Sequence, residues 1–205
     1  MLTRPDLLVP LMIFSFVAFF TPGPNNLMLM TSGLNFGFRR TLPHLFGVEL
    51  GYAFMFMCVG LGLGVVFTTY PILYTIIKYA GALYMLYLAW KIGTSEPPDP
   101  NQTQTTKQPL TFLQAAAFQW VNPKAIAMSV GTVASYSAIA NYPTNVLVMT
   151  GMFIALGVPS CAAWAGFGVI LQKFLHKPKI VRGFNVLMAL LLAASLYPVF
   201  ADMWR

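Results

Sequence analysis

Thr21-Pro22-Gly23-Pro24-Asn25-Asn26 interrupts an apolar run that extends from about residue 7 to residue 31. Two prolines, a glycine and two carboxamides do not suit an unbroken helix. Proline lacks the backbone donor and its ring clashes with the preceding turn, and the residue before each proline is pushed out of the α region. The sequence therefore predicts a break. Thr21 with Pro22, or Gly23 with Pro24, supplies an N-cap followed by proline at the first helical position, so a second half-helix starts here. Its free N–H groups carry partial positive charge suited to an anion. Inside a bilayer, non-helical backbone is tolerated only where it is buried in protein or lines a wet cavity. In such a setting the break reads as a binding site.

Composition supplies that setting. Of 205 residues, 58% are hydrophobic and 8% charged, with a mean hydropathy of +0.70; soluble domains carry roughly 25% charged residues. The expectation is an all-α integral membrane protein. Six apolar segments, at about 7–31, 41–69, 71–93, 110–136, 144–175 and 181–203, each exceed the ~20 residues that cross a ~30 Å hydrocarbon core. Little chain is left for a soluble domain, so function has to reside in the bundle.

The net charge of +7 is distributed by topology and forms no basic stripe, which argues against a nucleic-acid partner. Arg39 and Arg40 lie in the first connection, Lys91 and Lys107 flank the third, and Lys173, Lys177, Lys179 and Arg182 fill the fifth. The second and fourth connections carry no Lys or Arg. By the positive-inside rule the odd connections are cytoplasmic and both termini external. Cys58 and Cys161 fall within spans as small packing residues, with no disulfide framework. The first apolar run lacks an Ala-x-Ala pattern and is expected to be retained.

The chain reads as one transmembrane domain, 1–205, in two halves: repeat one at about 1–93, a hydrophilic cytoplasmic linker at 94–109, and repeat two at about 110–205. Three spans in each half make the halves enter the membrane from opposite sides, as inverted repeats do. The second half breaks its own first helix at Val121-Asn122-Pro123-Lys124, where Asn122 suits an N-cap and Pro123 the first helical position. Paired breaks point to a transporter's binding site near the midplane.

Charge within a bilayer costs roughly 2.5–3.5 kcal/mol per residue on insertion scales, so Glu49 in the second span and Lys124 at the second break each need a reason. They could pair with each other, or Glu49 could sit protonated against His44 or a carbonyl. The functional alternative has Lys124 and the two half-helix N-termini holding a carboxylate, with Glu49 facing an ammonium group or cycling a proton. Asn25 and Asn26 either join that site or cap the broken helix. Gly47 and Gly51 form a GxxxG pair whose plain reading is close helix packing, with room for a substrate path as the alternative.

Thr21-Pro22-Gly23-Pro24-Asn25, Gly37-Phe38-Arg39-Arg40, Gly47 with Gly51, Gly81-Ala82-Leu83-Tyr84, Leu86-Tyr87-Leu88 and Asn122-Pro123-Lys124 together resemble the LysE/RhtB family of bacterial amino-acid exporters over nearly the whole chain. The resemblance implies a six-helix inner-membrane protein that exports amino acids or close derivatives, driven by the proton gradient. It places Pro22, Gly23, Pro24, Asn122, Pro123 and Lys124 at the family's motif positions. Glu49 stands where many members are expected to carry a neutral residue, so it is a position to tune substrate or coupling.

Other classes fit less well. No Gly-x-x-x-x-Gly-Lys-Ser/Thr loop occurs, and no cofactor is expected. A divalent-cation exporter would need more ligands than His44 and one carboxylate provide. An intramembrane enzyme acting on lipid finds neither His-Glu-x-x-His nor Gly-x-Ser-x-Gly here. The expected partners are a small-molecule substrate and the lipid bilayer; the glycine-rich spans permit a homodimer without requiring one.

Overall fold

The computed structural model describes residues 2–95, 108–174 and 178–197. Prolines and glycines set most of the helix ends. The chain forms α1 (Leu8–Phe20), α2 (Pro24–Phe36), α3 (Phe38–Cys58), α4 (Gly64–Thr69), α5 (Pro71–Gly93), α6 (Phe112–Gln119), α7 (Pro123–Tyr136), α8 (Thr144–Phe174) and α9 (Pro178–Ala194). Pro24, Pro71 and Pro123 sit at helix starts, where the missing N–H costs nothing. No strand forms among the described residues, apart from an isolated bridge between Leu2 and Ala140. Thr3 tightens that contact: its hydroxyl donates to Ala138 O at 2.6 Å, which ties the N-terminus to the connection between α7 and α8.

Two helical stretches are long and apolar enough to cross a membrane, Phe38–Val66 and Thr144–Phe174, and the bent pair Pro5–Phe20 with Pro24–Phe36 makes a third candidate. The chain is thus a helical membrane protein. The expected linker at 94–109, the end of the sixth segment, and Lys107 and Lys177 lie largely or wholly outside the described residues.

Some expected boundaries move. Gly33 lies inside α2, and the turn before the arginines is made by Gly37, at φ 76°. Arg39 and Arg40 belong to the first turn of α3, which starts before Pro43 and contains it. Pro43 forgoes only its own backbone bond, and the helix runs through it. Further on, α3 passes into a π-helical stretch, Val59–Leu63, with Gly62 at φ 134°.

Small residues bring the helices together. A Cβ at Gly33 would fall on the Ala165 carbonyl and one at Gly168 on the Met30 carbonyl, so α2 and α8 cross backbone to backbone. Gly47 and Gly51 likewise lie against Phe112, Ala115 and Ala116 of α6, which settles the GxxxG pair as close packing. The other main pairings are α3 with α8, α5 with α9 and α1 with α8. Around the α1/α2 break, Phe19, Tyr52, Phe56 and Phe153 form an edge-to-face aromatic cluster that seals one side of the site described next.

Candidate functional site

The last turn of a helix leaves carbonyls without intrahelical donors, and in α1 these carbonyls organise the site. The helix ends at Phe20, Thr21 is extended, and α2 begins at Pro24 with Gly23 as N-cap, turned by 50°. Of the two cap arrangements the sequence allowed, the chain adopts Gly23 with Pro24. Phe19 O accepts from Asn26 Nδ2 at 2.7 Å and from Ser160 Oγ at 2.9 Å. Thr21 O accepts from Asn26 Nδ2 at 2.9 Å and from Lys124 Nζ at 2.9 Å. Asn26 therefore caps the broken helix. Ser160 belongs to α8, where it follows Pro159; its hydroxyl reaches across to α1, not to the carbonyl freed by Pro159, as a local kink would have it.

The second break carries the expected cap. Asn122 Oδ1 accepts from Lys124 N at 3.1 Å, and α7 starts at Pro123. Two contacts join this break to the first. One is the Lys124 ammonium on Thr21 O. The other is a reciprocal amide pair, Asn25 Nδ2 to Gln119 Oε1 at 2.8 Å and Gln119 Nε2 to Asn25 Oδ1 at 3.1 Å. Gly23 makes the first of these possible, because a Cβ there would come within 2.9 Å of Lys124 Cδ and 3.0 Å of its Nζ.

A cavity opens at this junction. Gly23, Pro24, Asn25 and Asn26 line it from the first break, Asn122 and Lys124 from the second, and Glu49, Tyr52 and Cys161 from α3 and α8. Pro22 and Pro123 shape the two breaks without lining the cavity. Its volume is about 40 Å³, so the conformation is narrow.

Glu49 is 1% exposed. Its Oε2 accepts from the Cys161 thiol at 3.9 Å, and its Oε1 has no hydrogen-bond partner among the described residues. Gly157 makes space for it, since a Cβ there would overlap the carboxyl group. Neither structural alternative for Glu49 is realised. The one ion pair among the described residues is Arg4 with Asp6, so Glu49 and Lys124 share the cavity without pairing. His44 lines a different cavity. Residues five apart on a helix point about 140° apart, so His44 and Glu49 cannot share a face. The cavity thus holds a cation and a carboxyl group, each lacking an ionic partner among the described residues. A small zwitterion would complement both.

Gln119, Tyr52, Ser160, Cys161 and Gly157 complete the site and were not read as site residues from sequence. Gln119 had a visible signal, as a carboxamide in an apolar helix three residues before the Asn122 break. The other four are ordinary residues of apolar helices.

Comparison with known proteins follows from this geometry. The family model described as LysE type translocator matches residues 16–195. The chain is similar to the Cysteine/O-acetylserine efflux protein of Escherichia coli (strain K12), 29% identical over 198 residues that make up 96% of this chain and 98% of the relative. It is equally similar to the protein of the same name from Salmonella typhimurium (strain LT2), 29% identical over 199 residues, again 96% of this chain and 98% of the relative. No solved structure matches the chain.

Proposed function

This chain belongs to the LysE type translocator family, and we propose that it exports a small amino acid or amino-acid derivative across the bacterial inner membrane in exchange for protons. The observation that carries this reading is the cavity at the two helix breaks, which Lys124 of the second break and Glu49 of α3 both line without an ion pair between them. In the proposed cycle the substrate carboxylate takes the place of Thr21 O at the Lys124 ammonium, supported by the first turns of α2 and α7. The substrate ammonium faces Glu49. The relatives' printed substrates, cysteine and O-acetylserine, are small zwitterions, which suits a narrow cavity.

Proton coupling is assigned to Glu49, as the carboxyl group in the cavity. A protonated Glu49 has no charge to offer an ammonium group, so proton and substrate would alternate there. Glu49→Gln, the neutral counterpart of the protonated carboxyl group, is therefore expected to weaken substrate binding and to leave any remaining efflux independent of the pH gradient. Equal pH dependence of wild type and variant in proteoliposomes would remove Glu49 from the coupling step.

Alternating access is proposed to move the two inverted repeats, about 1–93 and 110–205, around the breaks. The helix pairings support this. If α1–α2 corresponds to α6–α7, α3 to α8 and α5 to α9, then α3 against α8 and α5 against α9 are self-related pairs, and α3 against α6 matches α8 against α1. The close crossing of α2 with α8 has a weaker counterpart, because α7 meets the π-helical stretch after α3. One side of the site is thus closed more tightly than the other, as a single state of such a cycle requires. The proposed orientation puts the termini outside, and the N-terminus lies beside the α7/α8 connection, which carries no Lys or Arg. A reporter fused at Thr103 is expected on the cytoplasmic side; external activity would invert the topology.

The test of the function is efflux from preloaded proteoliposomes against an amino-acid panel that includes cysteine and O-acetyl-L-serine, with an imposed pH gradient. Selective, gradient-dependent loss of one or a few members is expected. Retention of the whole panel under every gradient would overturn the reading.

A further inference from the structure

A second cavity, of about 730 Å³, lies between α2, α3, α5 and the start of α6, within the size of small-molecule pockets (about 300–1,000 Å³). Its polar wall follows from helical spacing. Met28, Thr31, Ser32 and Asn35 recur at the intervals that keep side chains on one face of α2, and all four line the cavity. Traced back toward the N-terminus, the same face leads through Met28 to Pro24 and Asn25, which line the central cavity. From Asn25 to Thr31 is about 9 Å at ~1.5 Å per residue. One helix face therefore joins the two cavities, and Met28, 3% exposed, stands between them.

The polar groups of this wall divide into satisfied and unsatisfied ones. Ser32 is bonded to Thr41 at 3.0 Å, and Asn35 to Thr31 O and to Asn185. Thr31 Oγ1 and both ring nitrogens of His44 are buried and have no hydrogen-bond partner among the described residues. His44 is 2% exposed. Buried polar groups in native proteins nearly always have partners, so unpaired groups lining a roomy cavity point to a ligand. An imidazole N–H and a hydroxyl both donate to a carboxylate, and the Lys91 side chain at the wall of the same cavity adds positive charge.

We propose that this vestibule is a second substrate site, in which His44 and Thr31 hold the carboxylate of the amino acid before it passes Met28 to the central cavity. The inference rests on the exporter reading and deepens it. His44 and Thr31 then serve capture, whereas Lys124 and Glu49 serve the transport step.

The test is equilibrium binding of radiolabelled O-acetyl-L-serine and L-cysteine to the purified full-length protein, paired with efflux kinetics. Binding at two sites is expected for the wild type, at one in Lys124→Ala and at one in His44→Leu, with none left in the double variant. In proteoliposomes His44→Leu is expected to increase the internal concentration needed for half-maximal efflux by about tenfold, the equivalent of one carboxylate hydrogen bond. His44→Gln, which keeps a donor, is expected to recover most of that loss. Thr31→Val, a near-isosteric change, gives a smaller increase and decides the matter if His44→Leu does not fold. If the wild type exports and both vestibule variants match it in stoichiometry and half-saturation, the vestibule holds only water and the inference falls alone. If the wild type neither binds nor exports these or any other amino acids, the exporter reading falls and takes the inference with it.

Discussion

Lys124→Ala is expected to lower efflux by between about 30-fold and several thousand-fold, the range that corresponds to roughly 2–5 kcal/mol for removing one partner of a buried charge pair. The protein should still insert and remain monodisperse in detergent. Two features separate the functional loss from a folding defect. Lys124 is half-buried, and the one side-chain hydrogen bond it makes among the described residues, to Thr21 O, duplicates one from Asn26 to the same carbonyl. Removing the ammonium therefore leaves the broken helix capped. Efflux by Lys124→Ala at the wild-type rate would reduce Lys124 to a helix cap.

Gly168→Leu is expected to prevent assembly of the bundle. A Cβ at this position would fall on the Met30 carbonyl oxygen and within 2.8 Å of Leu34 N. These are backbone atoms of α2, which cannot rotate away as a side chain would. Overpacking a core costs about 1–3 kcal/mol when side chains can adjust; here the whole helix has to move, so the cost should reach or exceed that range. Ser160, Cys161 and Ala165 lie on the same helix as Gly168, and separation of α8 from α2 would also remove the Ser160 bond to Phe19 O. Size-exclusion chromatography and thermal unfolding in detergent provide the measurement. Gly166→Leu is the control two residues away, since nothing lies within 4 Å of a Cβ there. If both variants behave alike, the α2/α8 crossing does not depend on the absence of a side chain.

Local chemistry made the two breaks legible. Proline and its preceding residue restrict their own backbone wherever they occur, so Pro24 and Pro123 marked helix starts before any packing was known. Asn122 was equally legible as a cap because an N-cap side chain bonds to an N–H two or three residues ahead. The charge pattern and apolar runs identified a membrane protein for a similar reason, since each segment meets the bilayer independently of its neighbours.

The alternatives at each break, and the partners of the side chains, were a different matter. Thr21 and Gly23 both qualified as caps by local rules; Gly23 prevails, and Thr21 instead offers its carbonyl to Lys124. Asn25 was seen as a site or cap residue, but its partner Gln119 lies 94 positions away and belongs to the other half of the chain. Likewise His44 was one of the partners open to Glu49, and the helical turn sends the two to separate cavities.

The sequence by itself determined that this is a helical membrane protein with two proline-directed breaks, and that Lys124 and Glu49 are the ionisable groups most in need of explanation. These conclusions depend on backbone restriction, hydropathy and the cost of buried charge, all properties of a residue and its near neighbours. Only the tertiary structure decided that Lys124 closes onto the first break, that Glu49 faces the same cavity without an ionic partner, and that His44 lines a vestibule of its own. The physical reason is that helix crossings at Gly33, Gly168, Gly47 and Gly51 set the distances between helices. Which polar groups meet, and which stay unpaired in a cavity, follows from those distances and from the face of the helix on which each residue stands.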